Sequence, residues 1–116
     1  MTPDSEATAA LPPEIAAETL AAWRADGKAH AVLDVREPWE VDVAALAGAI
    51  TVPMGEVPAR LEEFPRDVPL VILCHHGARS FRVMSWLRGR GMANAVNLAG
   101  GIDAWSREVD PSVPTY

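Results

Sequence analysis

The chain has 116 residues, which is enough for one domain with a single core. Its 49% hydrophobic residues exclude global disorder, and the 16 acidic against 10 basic residues (net charge -6) exclude a basic interface for nucleic acid. No apolar run approaches the ~20 residues of a membrane span, and the first residues lack a signal-peptide pattern. We therefore expect no membrane contact and a cytoplasmic location, where a single cysteine stays reduced.

The N-terminal part divides into a tail and a helix. Residues 1–11 lack periodicity and are predicted to be a flexible tail, or a short edge strand near residues 8–10. From Pro13 onward apolar residues recur on one helical face, and Gly27 suits a C-terminal cap. A first helix is predicted between these two residues, and the folded domain is predicted to cover residues 12–116.

The rest of the chain alternates between strands and helices. Short apolar runs predict four strands, at residues 31–35, 50–52, 70–74 and 95–98. Helical spacing predicts three further helices and a helical turn, at residues 56–64, 80–90, 102–108 and, for the turn, after Pro38. The third of these strands is apolar throughout, as in the centre of a parallel sheet. The pattern predicts an α/β domain of three layers with a mostly parallel sheet.

The loop from Cys74 to Ser80 is the candidate site, because it follows the most apolar strand and precedes a helix. Its backbone N–H groups and the helix N-terminus can converge on one point and hold an anion. Such a cup favours thiolate over thiol at Cys74, which makes that side chain a nucleophile. Arg79 can pair with an oxyanion through its planar fork of donors.

At these residues the sequence resembles the rhodanese family of sulfurtransferases, over about residues 12–116. Three blocks carry the resemblance: Asp34-Val35-Arg36-Glu37, Cys74-x-x-Gly77-x-Arg79-Ser80, and the segment from Asn97 to Trp105. The resemblance implies a five-stranded parallel sheet flanked by helices, no cofactor, and a catalytic Cys74 that carries sulfur as a persulfide. It also implies that the substrate is bound by the residues of the loop, His75, His76, Gly77, Ala78, Arg79 and Ser80.

Three further interpretations concern a metal site at the histidines, the role of Asp34 and Arg36, and a phosphatase activity. His75 and His76 are adjacent, so they seldom converge on one ion, and we predict no metal site but a lining of the loop mouth. Asp34 and Arg36 are expected to form a structural polar pair at the sheet edge. The related cell-cycle phosphatases place five residues between cysteine and arginine, whereas four intervene here, and the smaller loop suits sulfur better than phosphate.

The predicted function is transfer of sulfane sulfur from thiosulfate or a persulfide donor to cyanide or a protein thiol. The alternative is a sulfur-relay or binding module that acts on a protein partner, with incidental thiosulfate activity. Residues 110–116 look like the tail of rhodanese domains fused to ubiquitin-activating-like adenylyltransferases. One departure from the family is visible, since Ala44, Ala45 and Ala47 stand where it commonly has glycine, histidine and proline.

Overall fold

A single sheet of five parallel strands organises the computed structural model, which describes residues 11–116. In chain order the strands are β1 (Glu14–Ile15), β2 (Ala31–Asp34), β3 (Ile50–Thr51), β4 (Leu70–Leu73) and β5 (Ala95–Leu98). Their order across the sheet is β1-β5-β4-β2-β3, with every neighbouring pair parallel. The strand that precedes Cys74 is therefore central, and the predicted fold class is confirmed.

Helices cover both faces of the sheet. They are α1 (Ala17–Asp26), α2 (Pro38–Val43), α3 (Ala78–Gly89) and α4 (Gly101–Glu108), with short 3-10 turns at Met54–Glu56 and Pro58–Glu63. None of the helices in residues 11–116 is long and apolar enough to cross a membrane.

The core is divided by the sheet into two layers, and the alternating side chains of β4 contribute to both. Val71 and Leu73 pack into the layer formed with α1 and α4. Leu70 and Ile72 pack into the layer formed with α3, and Cys74 continues the same alternation. The cysteine side chain therefore lies on the α3 side of the sheet, close to the start of that helix.

The prediction of a first helix beginning at Pro13 is wrong at its start. The helix begins at Ala17, and the residues before it form β1. The cause is tertiary, because the carbonyls of Pro13 and Ile15 accept hydrogen bonds from the N–H groups of Asn97 and Ala99. Gly27 caps the helix as predicted, with φ of 69°. The alternative edge strand at residues 8–10 lies outside the described residues.

The predicted helix over residues 56–64 is also wrong, because this segment consists of the two 3-10 turns. Pro58 stands at the start of the second turn, a position that proline tolerates because the first N–H groups of a helix have no acceptor within it. Arg60, with φ of -114° and ψ of 16°, departs from helical geometry. The other predicted strands and helices are confirmed, with ends that differ by one or two residues.

Candidate active site

The thiol of Cys74 lies at the base of the predicted loop and is almost completely buried. Its Sγ atom accepts two hydrogen bonds, from the backbone N–H of Gly77 at 3.1 Å and from the hydroxyl of Ser80 at 3.1 Å. The first turn of α3 begins directly after Gly77, and the leading N–H groups of a helix have no acceptor within it. The sulfur therefore faces donors and the positive end of a helix.

The backbone of the loop rests on the start of α4. The carbonyl of Cys74 accepts a hydrogen bond from the N–H of Ile102 at 2.9 Å, and that of His75 accepts one from Asp103 at 3.1 Å. Gly101 lies against both carbonyls with φ of 61°, and a Cβ atom there would overlap them. The glycine of the third sequence block thus allows α4 to approach the loop closely.

Gly77 lies at the turn of the loop and has a positive φ of 107°. Its carbonyl accepts a hydrogen bond from Nδ2 of Asn97 at 3.1 Å, and the same nitrogen donates to Oε2 of Glu14 at 2.8 Å. Because Asn97 belongs to β5, the turn that presents an N–H group to the sulfur is fixed to the sheet.

The guanidinium of Arg79 forms a bidentate ion pair with Glu40 of α2, with N–O distances of 2.7 and 2.8 Å. The Arg79 side chain remains 33% exposed, whereas that of Glu40 is only 5% exposed. This pair holds the pKa of Glu40 at about 2, against the opposing effect of burial. It also raises the pKa of Arg79. Both groups are therefore charged at neutral pH.

The predicted pair of Asp34 and Arg36 is present and fully buried. Arg36 contacts both carboxylate oxygens of Asp34, with a shortest distance of 2.6 Å, and donates to the carbonyls of Glu40 and Ala44 and to the hydroxyl of Tyr116. Burial alone would lower the pKa of Arg36, but its bonds to Asp34 and Tyr116 raise it. Ala44 contributes only its backbone carbonyl to this network, and a residue of any type at this position could contribute the same group.

Three aromatic rings form a stack beside the loop. His75 lies between His76 and Tyr116, with centroid distances of 3.8 Å on each side. Burial, and then the neighbouring His76, lowers the pKa of His75, so this ring contributes little positive charge at neutral pH. The two histidines were predicted to line the mouth of the loop. In the structure the ring of His75 is half-buried and that of His76 is exposed.

His75, His76 and Asp103 are the one group of three potential metal ligands that lie within 4.8 Å of one another in the described part of the chain. The ring planes of the two histidines are 29° from parallel and stacked. Because a nitrogen lone pair lies in its ring plane, these planes meet well beyond the ~2 Å of a metal–nitrogen bond. The observed ring orientations therefore do not suit joint coordination of an ion.

The structure brings two of the six predicted loop residues into contact with the Cys74 sulfur. Gly77 and Ser80 contact the sulfur, Arg79 faces Glu40, and Ala78 is exposed at the start of α3. Two residues of this network were not predicted, Glu40 and Tyr116. The signal for Glu40 was its position three residues after Glu37, typical of a helix capping box, whereas nothing in the sequence placed Tyr116 near the loop.

Comparison with known proteins identifies the family of this chain. A sequence profile described as the rhodanese-like domain matches residues 16–108, most of the chain. The chain belongs to this family. The predicted domain limits, residues 12–116, extend beyond the match at both ends, and the family prediction made from the three sequence blocks is confirmed.

Relatives of this rhodanese-like chain include both single domains and fusions. A protein named sulfurtransferase from Allochromatium vinosum is 37% identical over 100 residues, which cover 86% of this chain and 94% of that protein. The crystal structure of a rhodanese-like domain protein from Staphylococcus aureus superposes with a TM-score of 0.78 at 28% identity, covering 90% of this chain and 99% of the other. The probable adenylyltransferase/sulfurtransferase MoeZ of Mycobacterium tuberculosis is 32% identical over 97% of this chain, which spans only 29% of MoeZ.

Proposed function

We propose that this chain is a sulfurtransferase that carries sulfane sulfur as a persulfide on Cys74. A sulfurtransferase role in general is supported by the Allochromatium vinosum relative of that name, which this chain matches over nearly its whole length. The persulfide and its donor are supported by the contacts of Cys74 within the loop.

The observation that carries the proposal is the pair of donors on the Cys74 sulfur. An N–H group and a hydroxyl group both lie 3.1 Å from Sγ, the first from Gly77 directly before α3 and the second from Ser80 in its first turn. Such donors stabilise negative charge on sulfur, so they favour the thiolate and, after sulfur transfer, the terminal sulfur of a persulfide. Cys74 is the one cysteine of the sequence, so a sulfur-carrying intermediate on cysteine must form there.

The proposed reaction has two displacements. The Cys74 thiolate attacks the outer sulfur of thiosulfate, a new S–S bond forms, and sulfite leaves with the electron pair of the bond that breaks. The acceptor, cyanide or a thiolate, then attacks the outer sulfur of the persulfide. The bond to Sγ breaks, the product carries the sulfur away, and the Cys74 thiolate is regenerated. No electrons are gained or lost by the protein over the cycle.

The rest of the loop is proposed to bind the anionic donor. In this proposal its oxygens accept hydrogen bonds from backbone N–H groups between His75 and Ser80, next to the positive end of α3. Glu40 engages two of the five N–H donors of Arg79, and within residues 11–116 no other acceptor takes the remaining ones. Because the Arg79 side chain is also one-third exposed, these donors can reach an oxyanion while the ion pair with Glu40 stays intact.

Turnover of thiosulfate with cyanide tests the proposal directly. The wild-type protein is expected to form thiocyanate, and Cys74→Ser is expected to lose at least about a thousandfold in kcat, because oxygen cannot form the persulfide. Serine is nearly isosteric, so circular dichroism should show an unchanged fold. Activity retained by the folded variant would contradict the role of Cys74.

A second candidate is a sulfur-relay module that receives sulfur from, or passes it to, a protein partner. It is favoured by the match to MoeZ, which extends over 97% of this chain and so includes the tail after α4. The two candidates differ in their best substrate. If a persulfidated protein donor supports a kcat/KM far above that of thiosulfate, the relay is the physiological activity, whereas comparable values favour a small-molecule enzyme.

A further inference from the structure

Tyr116 connects two parts of the site that are distant in sequence. Its ring lies flat on that of His75, with a centroid distance of 3.8 Å and an angle of 4° between the planes. Its hydroxyl accepts a hydrogen bond from Nη1 of Arg36 at 2.9 Å and donates one to Oε2 of Glu40 at 2.7 Å. One side chain therefore contacts the residue after Cys74 and the partner of Arg79.

The hydroxyl completes the hydrogen bonding of the Glu40 carboxylate. Oε1 accepts from Arg79 and from the backbone N–H of Glu37, and Oε2 accepts from Arg79 and Tyr116. Four donors match the roughly four acceptor sites of a carboxylate, so its orientation is determined on all sides. Burial raises the pKa of Tyr116, which keeps its hydroxyl protonated and able to donate.

The Tyr116 ring contacts the loop at His75, the residue after Cys74. Nε2 of His75 is buried and has no hydrogen-bond partner in the described part of the chain, so that end of the ring is held by packing. The packing partners are the exposed His76 and the Tyr116 ring. Of the two, Tyr116 is the more firmly held, because its hydroxyl accepts a hydrogen bond from Arg36 and donates one to Glu40.

We propose that Tyr116 is a positioning residue for sulfur transfer, which holds the loop through its ring on His75 and holds Arg79 through its hydroxyl on Glu40. This inference rests on the proposed function, because it assigns Tyr116 a role in the use of the anionic donor. Tyr116 lies in neither the loop nor the three sequence blocks.

The tail is attached independently of the Tyr116 side chain, which makes substitutions there interpretable. Val113 is buried in the α1 and α4 layer, its N–H donates to the carbonyl of Asp110, and its carbonyl accepts from the hydroxyl of Ser106. Removing the Tyr116 ring should therefore leave residues 109–115 in place. Thr115, an exposed neighbour in the same tail, provides a control position.

The experiment compares Tyr116→Phe, Tyr116→Leu and the control Thr115→Ala with the wild type. Phenylalanine keeps the stack and removes the hydroxyl, and leucine removes both. We expect kcat/KM for thiosulfate to fall about threefold with phenylalanine and about tenfold with leucine, mainly through KM, and to stay unchanged in the control. A role in stability alone would lower the melting temperature and leave KM of the folded protein unchanged.

Alkylation of Cys74 gives a second readout that needs no sulfur transfer. Iodoacetate is an anion and iodoacetamide is neutral. The alkylation rate with iodoacetate divided by that with iodoacetamide therefore reports how well the loop attracts negative charge. The ratio is expected to fall in the order wild type, Tyr116→Phe, Tyr116→Leu. If the leucine variant does not fold, the phenylalanine variant alone decides.

The outcomes separate this inference from the function on which it rests. A wild-type protein without sulfur transfer would contradict the proposed function, whatever the alkylation ratios are. Unchanged KM and unchanged ratios in the folded Tyr116 variants of an active enzyme would overturn the positioning role. A change confined to Tyr116→Leu would overturn the hydroxyl contact and support the ring contact.

Discussion

Two arginine–carboxylate pairs, Asp34–Arg36 and Glu40–Arg79, meet in one polar network and differ in how their donors are used. Arg36 is buried, and its N–H groups are all directed at Asp34, two backbone carbonyls and the Tyr116 hydroxyl. Arg79 is one-third exposed, and within residues 11–116 Glu40 is the one acceptor of its hydrogen bonds. The first arginine has no donor left for a ligand, whereas the second has donors to spare.

The difference separates a structural charge from one that can act on a ligand. A buried charge needs every partner, because an unpaired ion in a low-dielectric interior is costly. A partly exposed guanidinium tolerates free donors, since water satisfies them until an anion replaces it. We therefore expect damage to the Asp34 pair to appear as lost stability and damage to the Glu40 pair to appear as lost activity.

The largest effect on stability is expected for Asp34→Asn. The substitution keeps the size of the side chain but leaves Arg36 buried without its counter-charge, which costs about 3–5 kcal/mol of unfolding free energy. Urea denaturation measures the loss. A cost comparable to that of an exposed ion pair would remove the distinction between the two pairs.

A smaller loss of stability and a larger loss of activity are expected for Glu40→Gln. Replacing the carboxylate weakens hydrogen bonds to a charged group, at about 1–3 kcal/mol. The released Arg79 guanidinium is no longer held beside the loop, so kcat/KM for thiosulfate should fall about tenfold, or ~1.4 kcal/mol. In Asp34→Asn the folded fraction should keep nearly wild-type kcat/KM. The opposite ranking of activities would reverse the assignment of the two arginines.

The contribution of Glu40 to stability should depend on pH. The pKa of Glu40 is lowered in the folded protein from its usual 4.5 to about 2, mainly by Arg79. A carboxyl group with a lowered pKa stabilises the fold above its unfolded pKa, and this contribution is lost as the pH falls from 4.5 towards 2. The difference in unfolding free energy between wild type and Glu40→Gln should stay constant near neutral pH and shrink below 4.5. A difference that does not shrink would mean that the ion pair with Arg79 does not lower the pKa of Glu40 in the folded protein.

The smallest effect is expected for Glu63→Gln, the matched control. Arg60 and Glu63 also form a bidentate pair, but both side chains are exposed to solvent. Exposed pairs contribute little to stability. Neither the denaturation midpoint nor kcat/KM should change measurably. A clear loss here would show that bidentate geometry, and not the place in the network, determines the effects seen at Glu40.

The fold and the central residues of the site could be predicted from the sequence because their signals are local. Apolar runs define β2, β4 and β5, and Cys74 directly follows the most apolar of them. The loop from Cys74 to Ser80 is contiguous, so the meeting of Ser80 with the cysteine sulfur required no long-range information.

What could not be predicted depends on long-range contacts. β1 exists because β5 offers it hydrogen-bonding partners, and without them Glu14–Ile15 reads as the start of a helix. Tyr116 reaches its place only after the chain has passed through α4 and the tail has folded back, 76 residues from Glu40. Tyr116 belongs to the tail segment 110–116, which resembles that of fused rhodanese domains, but this resemblance does not indicate which residues the tail contacts.

Intact-mass spectrometry tests the persulfide on Cys74 most directly. The protein is incubated with thiosulfate without an acceptor, separated from the donor and weighed, and then treated with cyanide. We predict that the wild type gains the mass of one sulfur atom, that cyanide removes it, and that Cys74→Ser gains nothing. A wild-type mass that does not change, or an equal gain in Cys74→Ser, would contradict sulfur transfer through this cysteine.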